Sequence, residues 1–259
     1  MKEIQPRILA FLCNWAGYAA HDLAGTKFVR LPLIECEIRV MCTGRVDPSA
    51  VIEGLMNGFD GVMVMGCRKG ECRYENGNFY AGKRIYWIGK TLERIGMNPK
   101  RVCCNWVGAD DEETFKKHLE EFTGAVRPLG VIGEAEDMDK EEAIKRLAAL
   151  KEVFDGERMR WLIGKEMELA GGADVFGEPL SRAGFENSVM EVFESEYGRN
   201  LILKGSSDSA KSVPELSEVT GMNSDRVVRE IVVLKRLGKI FMEEIRNRVP
   251  VYKGSTIKD

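Results

Sequence analysis

Apolar and polar positions alternate in two registers along the first half of the chain. Arg7-Ile8-Leu9-Ala10-Phe11-Leu12 is a nearly unbroken apolar run that stops at Cys13-Asn14-Trp15. A second run starts at Cys36, carries Ile38 and Val40, and ends at Cys42-Thr43-Gly44. A third, Val62 to Met65, ends at Gly66-Cys67, and Arg101-Val102-Cys103-Cys104-Asn105-Trp106 is a fourth. Short apolar runs bounded by turn residues predict strands buried on both faces. Between them the period changes. A short helix is predicted over 19–24, closed by Gly25. Another runs from 48 to 56, with Asp47 as N-cap and Pro48 at the first helical position. A longer one covers 77–95, with Tyr80, Ile85, Ile88, Leu92 and Ile95 near helical spacing, stopped by Gly96 and Pro99. The last opens at Asp110-Asp111-Glu112 and carries Phe115, Leu119 and Phe122 on one face.

Strand–helix alternation at this spacing predicts a parallel sheet with crossover helices. Ligands of such sheets bind beyond the carboxyl ends of the strands. Cys13, Cys42 and Cys67 stand where three successive strands run out. Cys72 folds back from the loop Gly66-Cys67-Arg68-Lys69-Gly70-Glu71-Cys72, whose glycines permit a tight return. Four thiols are thus expected on one rim. They suit a tetrahedral zinc or an iron–sulfur cluster, and the spacing does not choose between them. Simple burial of the cysteines is the plainer alternative.

The second half differs. All seven cysteines fall at or before Cys104. After Gly130 charge rises and helices are predicted over 139–154, 157–170 and 188–197, the last two stopped by Gly171-Gly172 and Gly198. Phe176-Gly177-Glu178-Pro179 is read as a turn and 205–209 as a flexible break or exposed loop. Ser212 to Gly221 predicts a short helix and a turn. Asn223-Ser224-Asp225 caps a helix over 226–237, and 240–244 with 248–252 forms a hairpin-like pair. This order resembles a winged helix–turn–helix module over about 185–254, whose usual use is DNA binding. The second helix mixes Arg226, Arg229, Lys235 and Arg236 with Asp225 and Glu230, a weak basic footprint, so docking onto a protein partner is the expected use.

Composition narrows the field. With 259 residues the chain can bury a full core. A net charge of −3 gives no general attraction to nucleic acid or membrane. No segment reads as a signal peptide or a membrane span, so a cytoplasmic setting with reduced or ligating cysteines is expected. No dinucleotide or Walker pattern, no Ser–His–Asp set and no paired carboxylates are legible. His21 and His118 are lone histidines on helices. Arg45, Arg68, Lys69 and Arg73 surround the rim, where positive charge would offset anionic thiolates. Trp15 and Trp106 follow strand ends and could shield the site from water.

Cys13-Asn14-Trp15, Asp22-Leu23-Ala24-Gly25, the stretch from Arg39 to Pro48 containing Met41-Cys42-Thr43-Gly44, and Gly66-Cys67 through Cys72 and Tyr74 together resemble the delta, iron–sulfur, subunit of methyl-viologen-reducing hydrogenases. Homologous subunits also accompany formate dehydrogenases in methanogenic archaea. The resemblance covers roughly 5–125 and leaves a C-terminal extension. It implies a [2Fe–2S] protein without substrate chemistry of its own. It would relay single electrons from a hydrogenase or formate dehydrogenase to the flavin subunit of heterodisulfide reductase, where electrons are bifurcated in methanogenic energy metabolism. Two departures stand out. The family usually has Cys-Asn-Trp-Cys where this chain has Ala16, and tends to carry His where this chain has Arg68 and Arg73. Four ligands remain in Cys13, Cys42, Cys67 and Cys72. Recruitment of Cys36, Cys103 or Cys104, or loss of the cluster, are the alternatives.

The expected fold is therefore α/β: a small parallel-sheet N-terminal domain with crossover helices, then an α-helical region ending in a winged-helix-like module. The expected domains are 1–130 for the iron–sulfur part, 131–184 for a helical connector and 185–259 for docking. A cysteine- or metal-based redox-sensing transcription regulator with a winged-helix DNA-binding tail is the competing function, and a structural zinc module a third. Membrane and nucleic acid are not among the expected partners.

Overall fold

A computed structural model describes residues 5–169 and 181–255. The chain divides into two compact units, 1–151 and 152–259. The readings at 171–172 and 176–179 lie outside the described residues.

In the first unit β1 (Ile8–Cys13), β2 (Cys36–Val40), β3 (Gly61–Cys67) and β4 (Val102–Val107) form one sheet in the order β2-β1-β3-β4. Every pairing is parallel. The connecting helices are α1 (Gly17–Thr26), α2 (Pro48–Met56), α3 (Gly77–Arg94) and α4 (Glu112–Val126). Strand side chains alternate between faces. Ile8, Ala10 and Leu12 join Met63, Met65 and the α4 residues Phe115, Leu119 and Phe122 in one core. On the other face Val64 lines a small void together with Val51 of α2 and Ile85 and Ile88 of α3. β1 and β3 are wholly buried, as both-sided cover requires, whereas β2 is largely exposed.

Local chemistry sets the boundaries. Asp47 caps α2 by accepting the Ser49 N–H at 3.0 Å, and Asp111 caps α4 by accepting that of Thr114 at 3.0 Å. The first helix overruns its predicted stop: Gly25 has open space around its Cα and sits inside α1. A helical glycine costs only about 1 kcal/mol relative to alanine, so tertiary packing decides. No residue pattern announces the clamp below the sheet. Arg101, fully buried, donates to both carboxylate oxygens of Glu136 (2.7 and 2.9 Å) and to the carbonyls of Asp60, Leu129, Gly130 and Val131.

Helix α5 (Lys140–Asp155) follows. The second unit contains α6 (Glu157–Leu169), α7 (Arg182–Gly205), β5 (Lys211–Ser212), α8 (Val213–Thr220), α9 (Ser224–Arg236), β6 (Ile240–Arg246) and β7 (Val249–Gly254). The three strands form an antiparallel sheet ordered β5-β7-β6. Ile202, Leu216, Val227, Ile231, Leu234 and Ile240 make its core. Ser212 and Glu215 close a reciprocal capping box at α8, and Gly221 ends it in the left-handed conformation. Two sequence expectations change. Gly198 does not stop its helix: α7 runs on to Gly205, and a Cβ at 198 would lie 3.0 Å from the Met222 sulfur, so this glycine serves close packing. Of the stretch 205–209, residues 207–209 form the exposed loop, but Ser206 is fully buried, donates to the Ile202 carbonyl at 2.7 Å and accepts from the Gly254 N–H at 3.2 Å. The two-residue strand β5 is too short to leave a sequence signal.

Candidate functional site

The sheet order 2-1-3-4 places β1 beside β3 with connections leaving in opposite senses. This is the switch point at which doubly wound sheets open a crevice beyond the strand ends. Cys13 is the last residue of β1 and Cys67 the last of β3, and their sulfurs are 3.4 Å apart and buried. Cys42 lies two residues past β2 and opens the 3-10 turn Thr43–Arg45. Cys72 comes from the loop after β3, and its sulfur and that of Cys42 both lie against Gly77. The structure thus gathers Cys13, Cys42, Cys67 and Cys72 at one rim, as two sulfur pairs. Among the described residues no three His, Cys, Asp or Glu side chains converge as the ligands of one metal ion would.

The floor of this rim is glycine. An ideal Cβ on Gly77 would lie 2.2 Å from the Cys42 sulfur and 3.4 Å from that of Cys72. One on Gly44 would lie 2.7 Å from the Gly77 Cα. The first turn of α3 can therefore sit against the Cys42–Cys72 pair only with bare backbone at both positions. Asn78, buried beside them, donates from Nδ2 to the carbonyls of Cys67 (3.0 Å) and Arg68 (2.8 Å) and pins the returning loop. Gly77 and Asn78 were missed as site residues. Their only signal is the Asn76-Gly77-Asn78 run just after the loop.

Electrostatics divide the rim thiols: Cys13 is favoured as an anion, while Cys42 and Cys67 are held toward the neutral form. The positive end of the 18-residue helix α3 abuts Cys42 and Cys72. The Cys13 thiol is lowered to about 6, chiefly by its hydrogen bond with Cys67 and further by backbone contacts with Trp15, Ala16 and Thr43, against the effect of burial. Cys67 is shifted upward by the same bond and by burial. Burial also raises Cys42. Arg68 is engaged by Asp111 and lies 3.9 Å from Glu71. The Arg73 guanidinium stacks on Trp15 at 4.1 Å, and the Lys69 ammonium faces the Trp106 ring at 5.4 Å. These contacts tie the loop of Cys67 and Cys72 to its neighbours on the rim. Arg45 is exposed.

The remaining cysteines lie elsewhere. Cys36 starts β2, opposite Leu9 and far from the carboxyl end of the sheet. Cys103 and Cys104 pair with Met63 and Val64, several residues short of Cys67. They line a groove of about 380 Å³ against α3, which none of the four rim cysteines lines. Burial pushes the Cys104 thiol up to about 12 and that of Cys103 well above its ordinary value. His21 pairs with Glu37 at 3.0 Å and His118 lies 3.6 Å from Glu121. Ala16 packs in the same cluster as Cys13, Cys67 and Cys72.

Fold and site together define a doubly wound α/β unit with a cysteine-lined rim at its switch point. The sequence family described as methyl-viologen-reducing hydrogenase, delta subunit, matches residues 8–130. The chain belongs to this family. It is 38% identical over 129 residues to an F420-non-reducing hydrogenase iron-sulfur subunit of Archaeoglobus profundus, covering 50% of this chain and 94% of that protein. It is 35% identical over 127 residues to the F420-non-reducing hydrogenase vhu iron-sulfur subunit of Methanocaldococcus jannaschii, 95% of whose length is covered. It is also 44% identical over 128 residues to a ferredoxin/F(420)H(2)-dependent CoB-CoM heterodisulfide reductase subunit of Methanosarcina acetivorans. There the match covers 49% of this chain and only 16% of the relative, so the chain spans about a sixth of that protein. Relatives of this family are named as subunits of hydrogenases and of heterodisulfide reductases. Among the described residues no helix is long and apolar enough to cross a membrane.

Proposed function

We propose that Cys13, Cys42, Cys67 and Cys72 hold a [2Fe–2S] cluster. Through it the chain relays single electrons from a hydrogenase or formate dehydrogenase to the flavin subunit of a heterodisulfide reductase, where bifurcation takes place. The observation that carries this reading is the pairing of the sulfurs, Cys13 with Cys67 and Cys42 with Cys72, over the bare backbone of Gly77. A binuclear cluster takes two thiolates on each iron, whereas a lone zinc draws four ligands around a single point. The cluster would supply one-electron redox chemistry. The protein's part is to fix four sulfurs, to set positive potential around them from the end of α3, and to shield them with the Trp15–Arg73 stack. No substrate-binding centre or independent catalysis is assigned to the chain.

Residues 1–130 would form the iron–sulfur domain, 131–184 a helical connector and 185–259 a winged-helix-like docking module, in a cytoplasmic complex. Support for docking over DNA reading comes from α9. Arg226 is drawn back onto the carbonyl and carboxylate of Glu194, and Val228 and Val232 occupy the solvent face. Major-groove helices present polar and basic side chains there.

The test is anaerobic purification of the full chain and of four single Cys→Ala variants. Each change at 13, 42, 67 or 72 is expected to abolish iron and acid-labile sulfide, while Cys36→Ala keeps both. Retention of the cluster in any of the four would remove that residue from the ligand set.

A further inference from the structure

The edge strand β2 does not fit its sheet. Parallel strands are normally covered on both faces. In β2 Glu37, Ile38 and Arg39 are all exposed, Ile38 at 40%. Beside it Met41 is 53% exposed, and in the segment feeding the strand Phe28 and Leu33 are 93% and 63% exposed.

The strand is complementary to itself. In an antiparallel pair centred on Ile38, Ile38 meets Ile38 of the second copy, Glu37 meets Arg39, and Cys36 meets Val40. Opposite residues share a face, so one face carries two Glu–Arg pairs and the other an apolar row of Cys36, Ile38 and Val40. Directly opposed opposite charges favour such a pairing, and like charges oppose it.

The backbone independently selects the same register. The Asn14 N–H donates to the Val40 carbonyl at 2.7 Å, in step with the pairing of Cys13 with Val40. The N–H and C=O of one strand residue point the same way, and successive residues alternate. Val40, Ile38 and Cys36 therefore turn their backbone groups toward β1, and Glu37 and Arg39 turn theirs outward. Centring on Ile38 places these outward groups opposite each other, so that each Glu37–Arg39 couple exchanges both backbone bonds. Ile38 falls at the non-hydrogen-bonded position, where side chains come closest. A shift of one residue would break both the charge match and the bond pattern. On the charged face Glu37 already meets His21 of α1, and Arg39 bonds to Asn14 Oδ1 at 2.6 Å and stacks on Tyr18. These contacts hold the two side chains at the edge without covering the strand.

We propose that two copies of this chain join through β2 in antiparallel fashion, making one continuous sheet about a two-fold axis through Ile38. The interface is isologous, so each substitution acts twice. The test is sedimentation of the full chain across a concentration series. The wild type is expected to dimerise. Arg39→Glu or Glu37→Arg alone sets like charges opposite each other at both couples and should weaken the dimer about tenfold or more. The double exchange Glu37→Arg with Arg39→Glu restores complementarity and should recover the dimer. Ile38→Cys should form an intermolecular disulfide on mild oxidation, because opposed non-hydrogen-bonded residues lie within bridging distance. A wild type that stays monomeric at every concentration, a double exchange no better than the single ones, or an Ile38→Cys chain that fails to cross-link beyond the wild type would each overturn the proposal. None of these outcomes depends on iron content.

Discussion

Replacing Gly77 by alanine adds one methyl group at the point where α3 meets the Cys42 and Cys72 sulfurs. That carbon would sit 2.2 Å from the Cys42 sulfur, where ordinary contact begins near 3.4 Å, so something must move by about 1.2 Å. Gly44 crowds the same side, its Cα 3.7 Å from the added carbon, and the sulfur at the end of the Cys42 side chain yields more readily than helix backbone. The sulfur must give way. Metal–ligand distances tolerate only about 0.2 Å, so a shift several times larger removes Cys42 as a ligand. The fold itself loses far less. Overpacking of this kind costs about 1–3 kcal/mol, partly offset by up to about 1 kcal/mol from replacing a helical glycine. The assay pairs iron and sulfide content with the thermal midpoint of the metal-free chain. Gly77→Ala should lose the cluster and keep a cooperative unfolding transition. Gly25→Ala is the control: no atom lies within 4 Å of its added carbon, so it should retain full iron content. Wild-type iron content in Gly77→Ala would refute the cradle.

The clamp below the sheet gives a second prediction. Arg101→Met removes the cation from a fully buried pair and leaves Glu136 and four carbonyls without their donor; it should cost about 3–5 kcal/mol by denaturant unfolding, and a loss below about 1 kcal/mol would contradict the assignment. Burial opposes the Glu136 carboxylate, but Arg101 and the backbone N–H groups of Asn98 and Gly133 outweigh it, so its pKa lies below the ordinary 4.5. A lowered folded-state pKa stabilises above the unfolded value and is lost on acidification. The stability gap between wild type and Glu136→Gln should therefore narrow as pH falls below about 4.5, and a gap independent of pH would exclude the linkage. In the second unit Ser212→Ala opens the capping box of α8 and should cost about 1 kcal/mol, read from chemical unfolding.

The parallel sheet was legible because its central strands β1 and β3 are unbroken apolar runs and its helices carry strong punctuation, Asp47-Pro48 and Asp111 among them. The meeting of Cys13 and Cys67 was legible for the same reason: a residue that ends a strand is carried to the rim by topology. What escaped the sequence depends on distance between remote segments. Gly77 has no distinguishing mark until Cys42 is known to lie against it. Arg101 looks like a surface charge beside Lys100 until Glu136 is found beneath the sheet. Gly198 has the composition of a stop and the environment of a packing contact, and only Met222 distinguishes them. The exposure of β2 has a partial signal in Glu37 and Arg39, which interrupt its apolar positions, but the opening of its apolar face at Ile38 depends on what packs there.

The most direct test of the iron–sulfur reading is metal and acid-labile sulfide analysis of the anaerobically purified full chain, with spectroscopy before and after one-electron reduction. The expected result is a coloured protein holding about two irons and two sulfides per chain that becomes paramagnetic on reduction. A colourless protein with stoichiometric zinc and no sulfide would contradict it.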